Sequence, residues 1–334
     1  MLPEMHPDFL TVIDAVRFEA PDHYRFRGQP RNVHNISVSI AGMPPKPLDA
    51  HYTKVVQVLE SDIYANLYKN QQALPPAAPP PTHADFILAV SAANNGGGTW
   101  DDSWEFVGLA ADQRAIVTNK QLNFWVPAAD VRPRPGQPLR AGERCQVRVG
   151  KEIRNLNPHY YMAYGDEPMS KDRQGVLMRY YWSLLPAGVV PYMAGITTRL
   201  NAQGVPFRTK VLAKPTEYGA ADAGVLYVEK QHRAAAEAAV LAVHEEVAAH
   251  LLPGVPLFTQ ALRPGLAYAE DPADGLSFGL SRARLVAQAL AACATRGQDA
   301  TADKLAAIAA AFRAAGFDPD HPYYHGGVPA AFTS

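Results

Sequence analysis

Apolar residues recur at two periods along this 334-residue chain. In DAHYTKVVQVLESDIYANLYKN (49–70), Val55, Leu59, Ile63, Leu67 and Tyr68 return at spacings of three and four, one stripe of an amphipathic helix. A shorter helix is predicted over 7–18, and the β-branched residues of VHNISVSI (33–40) favour a strand. The five prolines of LPPAAPPPTH (74–83) oppose both helix and sheet pairing and read as an extended spacer. Beyond it the pattern shortens. DFILAV, WEFVGLA, AIVTN, LNFWVP, CQVRVG, HYYMAYG and LMRYYWSL read as strands, separated by turn residues such as PRPGQP (133–138). A helix over 191–200 precedes strands PFRTKVL (206–212) and GVLYVEK (224–230), and helices are predicted over 232–252, 281–296 and 302–316.

Strands followed by helices, without regular alternation, predict an α+β fold. We expect an antiparallel or mixed sheet body with C-terminal helices and a small helical N-terminal cap. The cap covers 1–73, the spacer 74–83 and the main domain 84–330. Thirty-one basic and 32 acidic residues leave a net charge of −1, so no global field recruits nucleic acid or an anionic membrane. No apolar run reaches the roughly 18 residues of a membrane span, and the acidic, proline-bearing first residues do not read as a secretory signal. Cys145 and Cys293 have no CxxC spacing, which places the chain in a reduced, cytoplasmic setting.

Three motifs invite chemistry and lose it on spacing. AANNGGGTW (92–100) lacks the lysine and hydroxyl of a phosphate-binding P-loop and the GxGxxG spacing of a dinucleotide site, and so reads as a turn or a close approach. In HEEVAAH (244–250), Ala248 stands where a zinc-binding helix needs histidine, and His244 and His250 diverge around the helix. Asp101 and Asp102, ahead of Trp104, read as a polar turn before paired catalytic acids. No metal and no cofactor is indicated.

An ordered series of stretches resembles the HopA-type effector family of plant-pathogenic bacteria. It comprises LESDIYANLY (59–68), FILAVSAANNGGGTWDDSW (86–104), LMRYYWSL (177–184), TTRLNAQGVPFRTKVL (197–212), DAGVLYVEK (222–230), VPLFTQALRPGLAYAEDP (255–272) and SFGLSRARLVAQAL (277–290). Near EYGAAD, Ala220 stands where the family pattern carries arginine. The resemblance implies two functions. Family domains in class V lanthipeptide and thioamitide pathways imply a lyase: a separate kinase-like protein phosphorylates Ser or Thr of a precursor peptide, and phosphate elimination then leaves a dehydroamino acid. The plant effectors imply instead a non-catalytic module that binds a protein or peptide partner.

Elimination requires a base for the α-proton, cations for the departing dianion and an acid for its bridging oxygen. On the alternating strand VPFRTKVL, Arg208 and Lys210 share a face, so neighbouring cations favour the neutral amine that a lysine base needs. Arg179, Arg208 and Arg282 are the candidate phosphate forks, with Ser277 either donating to the same oxygens or capping the helix that follows. Arg179 alternatively pairs with Asp222 or Glu270, which otherwise orient the cations. His34, His159, Tyr161 and Tyr227 are the candidate acids.

Overall fold

The computed structural model describes residues 5–33, 50–74, 81–120, 122–154, 158–170 and 177–325. His34, the rest of the expected strand 33–40 and most of the proline-rich spacer lie outside these residues.

The chain opens with α1 (Asp8–Ala15), a turn shorter than its periodicity suggests. Val16 and Phe18 leave the helix because they pair with Phe26 and Tyr24 in a hairpin, β1 (Val16–Ala20) with β2 (His23–Phe26), extended by β3 (Gln29–Asn32). The long helix forms as α2 (Ala50–Ile63) and then widens into a π-helical turn, Tyr64–Tyr68. The stretch DFILAV, expected as a strand, is instead the core of α3 (His83–Ala93). The Thr82 hydroxyl accepts from the Asp85 amide and donates to its carboxylate, a capping geometry that starts a helix. Phe86 and Val90, one turn apart, are buried while Leu88 between them is exposed, so the apolar run has a helical face that a short window conceals.

A five-stranded antiparallel sheet follows, built from β4 (Thr99–Leu109), β5 (Ala115–Thr118), β6 (Asn123–Val126), β7 (Val131–Pro133) and β8 (Arg144–Val149) in the order β6-β5-β4-β8-β7. Asp101 and Asp102, expected in a turn, lie on β4 beside an irregularity in its pairing with β8. This sheet has a small core of its own around Phe106, Val117 and Cys145.

The body is a seven-stranded antiparallel sheet. Its strands are β9 (Glu152–Ile153), β10 (Tyr160–Tyr164), β11 (Leu177–Trp182), β12 (Phe207–Leu212), β13 (Gly224–Glu229), β14 (Gln260–Arg263) and β15 (Leu266–Glu270), ordered β14-β15-β11-β13-β12-β10-β9. Between them run α4 (Val189–Ala202) and α5 (Arg233–Val247), and after them α6 (Phe278–Thr295) and α7 (Thr301–Ala314). The architecture is α+β.

Strand alternation sends each central strand's side chains into two different cores. Met178, Tyr180, Trp182, Leu226 and Val228 face α3, α4 and α5. Tyr181, Val225, Tyr227, Ala267 and Ala269 face α1, α2, α6 and α7. Burial on both faces explains why β11 and β13 read as continuous apolar runs, with every residue of each strand buried.

The π-helical turn sits on the second face. Its extra residue per turn lets Tyr64 and Tyr68 stack, with centroids 5.3 Å apart and rings 12° from parallel. Gly279 of α6 lies against Tyr68, and a Cβ there would meet the ring at 2.4 Å. Glycine to alanine within a helix ordinarily stabilises by about 1 kcal/mol. Here Gly279→Ala is expected to do the reverse, costing about 1–3 kcal/mol by overpacking, as urea denaturation would report.

Candidate functional site

The register of the central strands places one cationic row across the second face. Arg179 on β11 stands opposite Tyr227 on β13, Tyr227 opposite Arg208 on β12, and Arg208 opposite Tyr164 on β10. Tyr227 is buried, and both guanidiniums rest against its ring, Arg208 at 4.5 Å and Arg179 at 5.4 Å from the centroid. Arene faces attract such cations, so the ring lets two positive charges approach one another. The next row carries Tyr181, Val225, Lys210 and Met162. Lys210 and Arg208 are thus on one face, as alternation in PFRTKVL predicts, and the Lys210 ammonium lies 4.1 Å from the Tyr160 ring centroid.

Arg179 pairs with Asp271, not with Asp222 or Glu270. Its Nε and Nη2 both donate to one Asp271 oxygen, at 3.0 and 2.5 Å. Burial pulls the guanidinium down, but Tyr181, Tyr227 and Asp271 together more than offset this and hold it well above the ordinary arginine range. Tyr181 is itself pushed up to about 12 by burial, against the pull of Arg179.

Asp222 is half-buried beside Lys69 and Lys210. Burial raises its carboxyl above the usual range, and the two lysines offset this only in part. Because the folded value exceeds the unfolded one, ionising Asp222 costs stability. That cost is absent below the unfolded carboxylate range and complete above the raised value. Asp222→Asn is therefore expected to be at least as stable as the parent at about pH 7, the difference closing toward about pH 4 in paired urea titrations.

Four residues at this place escaped the sequence reading: Tyr64, Lys69, Tyr160 and Asp271. Lys69 lies 5.3 Å from the Tyr64 centroid, and its carbonyl accepts from the Ala221 amide at 2.7 Å, which ties the π-helical turn to the loop carrying Asp222. Ser277 caps α6 by accepting from the Leu280 amide at 3.3 Å, and burial raises the Tyr64 hydroxyl well above the ordinary tyrosine range. A heptad stripe marks Tyr64 only as helix surface; the π-helical widening that turns it toward the sheet leaves no spacing signature.

The remaining predicted residues lie apart. Arg282 is fully buried, its Nε donating to the Pro322 carbonyl at 2.7 Å and its guanidinium 3.6 Å from the Phe317 centroid. Burial lowers it to about 10, and its donors are spent on the C-terminal segment instead of facing a cleft. Tyr161 points to the opposite face, where its hydroxyl donates to Glu152. Glu270 is also on that face, paired with Lys230 at 2.7 Å. His159 is exposed at the sheet's margin, 3.7 Å from Glu217.

At the Tyr164 end of the cationic row a cleft of about 940 Å³ opens between the large sheet and the start of β4. Arg208 and Tyr164 lie on one side, Thr99, Trp100 and Asp101 on the other, and Glu167 and Met169 at its margin. The glycine-rich loop leads directly into Thr99, the first β4 residue of the cleft lining. The Gly97 and Gly98 amides donate to one Asp166 oxygen at 2.7 and 3.0 Å, an amide nest filled by the chain's own carboxylate. Gly98 has φ of +82°, and a Cβ there would meet the Val149 carbonyl at 2.5 Å, so only glycine fits.

The model of the HopA1 effector protein family matches residues 152–324, the stretch from β9 through the segment that Arg282 anchors. The solved effector protein from Pseudomonas syringae pv. tomato strain DC3000 superposes with a TM-score of 0.50 at 18% identity, covering 83% of this chain and 96% of that one. The effector protein from Pseudomonas syringae pv. syringae strain 61 gives 0.46 at 14%, covering 83% and 97%. No curated protein matches the sequence.

Proposed function

From membership of the HopA1 effector protein family, to which this chain belongs, we propose that it is a lyase eliminating phosphate from phosphoserine or phosphothreonine in a precursor peptide. The observation that carries the reading is the juxtaposition of Lys210, Arg208 and Tyr227 on one sheet face beside an open cleft. Lys210 takes the α-proton, the Cα–H electrons form the Cα=Cβ bond, and the Cβ–O bond breaks toward phosphate. Arg208 offers its planar fork to the phosphate oxygens. Arg179, committed to Asp271, steadies Tyr227 from the other side. Of the acid candidates among the described residues, only Tyr227 shares the Lys210 face, so its hydroxyl is assigned to the bridging oxygen. Asp222 orients Lys210 and Lys69. A separate kinase-like protein supplies the phosphopeptide, and the product is dehydroalanine or dehydrobutyrine.

The test is mass spectrometry of a phosphothreonine peptide incubated with the purified chain. Loss of the elements of phosphoric acid, giving a product that adds a thiol, is the expected result. Return of free threonine signals a phosphatase and overturns the reading. The alternative, a module that binds a protein partner without catalysis, draws on the exposed Phe124 and Trp125 of the edge strand β6. It gains if the peptide returns unchanged.

A further inference from the structure

We propose that the cleft at the end of the cationic row is the substrate's peptide-binding groove, taking the extended segment that flanks the phosphoresidue and selecting a basic side chain within it. The inference rests on the lyase reading for its phosphoresidue, and on three observations of its own.

The first is an open strand edge. β4 pairs with β8 from Thr99 onward, whereas β5 pairs with β4 only from Glu105. The other edge of Thr99 and Trp100 therefore holds no strand among the described residues, and both residues line the cleft. An extended peptide adds to such an edge through its own main chain, whatever its sequence.

The second is continuity with the cations. Arg208 belongs both to the row and to the cleft, and Tyr164, opposite it, stands at the mouth. From Tyr227 to Tyr164 is two strand spacings, roughly 10 Å, which an extended chain covers in about three residues. A phosphate held at Arg208 and Tyr227 thus places the third residue along inside the cleft.

The third is charge. The cleft lining carries Asp101, Asp102 and, exposed at the margin, Glu167. Asp101 accepts from the Ser103 amide and the Trp104 indole, and Asp102 pairs with Arg134 at 2.8 Å. Glu167 lies at the rim on an exposed loop, where a lysine or arginine of the guest meets it without burial. The apolar sides of Trp100, Phe207 and Met169 cover the stem of such a side chain. Asp101 and Asp102 lie outside the family-matched stretch of residues 152–324, and Glu167 lies within it.

The test uses fluorescein-labelled peptides of about nine residues, alanine-rich, with a central phosphothreonine and one lysine about three positions to either side. Binding is read by fluorescence anisotropy. In one of the two orientations, lysine in place of alanine tightens binding, and Glu167→Lys weakens that peptide about 3- to 10-fold. Exchanging the peptide's lysine for glutamate restores affinity toward the variant. N-methylation of the main-chain amides between phosphothreonine and lysine weakens binding about 5-fold. If neither the charge exchange nor the N-methylation alters affinity, the groove is not where the peptide lies. Elimination from the same lysine-bearing phosphopeptide is measured alongside, and Glu167→Lys lowers its kcat/KM in step with the loss of affinity. Charge-dependent binding without elimination from any peptide removes the lyase reading and keeps the groove; elimination indifferent to Glu167 and to N-methylation removes the groove alone.

Discussion

Lys210→Ala lowers elimination from a phosphothreonine peptide by about 10²- to 10⁴-fold, the range that a positioned general base contributes. Peptide affinity falls far less. The split follows from the face on which Lys210 lies. Its neighbours in the adjacent row, Arg208 and Tyr227, are held by strand pairing and by each other, so removing the lysine leaves the anion grip standing. Truncation at a half-buried strand position also disturbs little of the fold, because Thr209 and Val211 supply the opposite core. The measurement is single-turnover mass spectrometry paired with anisotropy on the same phosphopeptide. Arg208→Ala, by contrast, weakens binding and turnover together, since a phosphate fork acts before and during the reaction. Normal elimination by Lys210→Ala removes Lys210 as the base.

Asp271→Ala destabilises the chain by about 3–5 kcal/mol, the cost of leaving a buried charge without its partner. The Arg179 side chain is only 10% exposed and Asp271 18%, and both guanidinium contacts converge on one carboxylate oxygen. Asp271 sits just past the end of β15, where its amide donates to the Leu177 carbonyl, so backbone and side chain together tie β15 to β11. Once the carboxylate is gone, Arg179 keeps the Tyr227 ring but loses the counter-charge of Asp271, and Tyr227 loses a fixed neighbour. Urea denaturation reads the loss. Replacing both charges, Arg179→Met with Asp271→Leu, recovers most of the stability, because two matched apolar groups need no desolvation. If that double variant is as unstable as Asp271→Ala, the cost lies in packing and not in the orphaned charge.

These two outcomes separate roles that one residue class suggested jointly. In the sequence Arg179, Arg208 and Arg282 are alike: arginines among apolar residues, where charge is costly unless satisfied. Each is satisfied differently. Asp271 neutralises Arg179, three oxygens of the C-terminal segment and α6 accept from Arg282, and Arg208 lines the cleft. No periodicity reports which of these holds, because the partners lie 92 and 40 residues away in the chain.

The sequence by itself determined what depends on neighbours within a few residues. Its 3.6 and 2.0 periods located α2, α4 to α7 and the strands β10 to β13, and the alternation of PFRTKVL put Arg208 and Lys210 on one face. It also excluded a nucleotide role for AANNGGGTW, since the side chains that such a loop needs are missing. Tertiary structure alone decided the rest. DFILAV became helix α3 because a threonine cap and a one-turn burial pattern outweigh a short apolar run. Tyr161 and Tyr227, similar in sequence, face opposite cores because strand register, not composition, assigns them. Tyr64 and Lys69 joined the site through a π-helical turn, and two of the three glycines, Gly97 and Gly98, found their anion in Asp166, about 70 residues onward. Local pattern sets which face a side chain takes; only long-range pairing sets what it meets there.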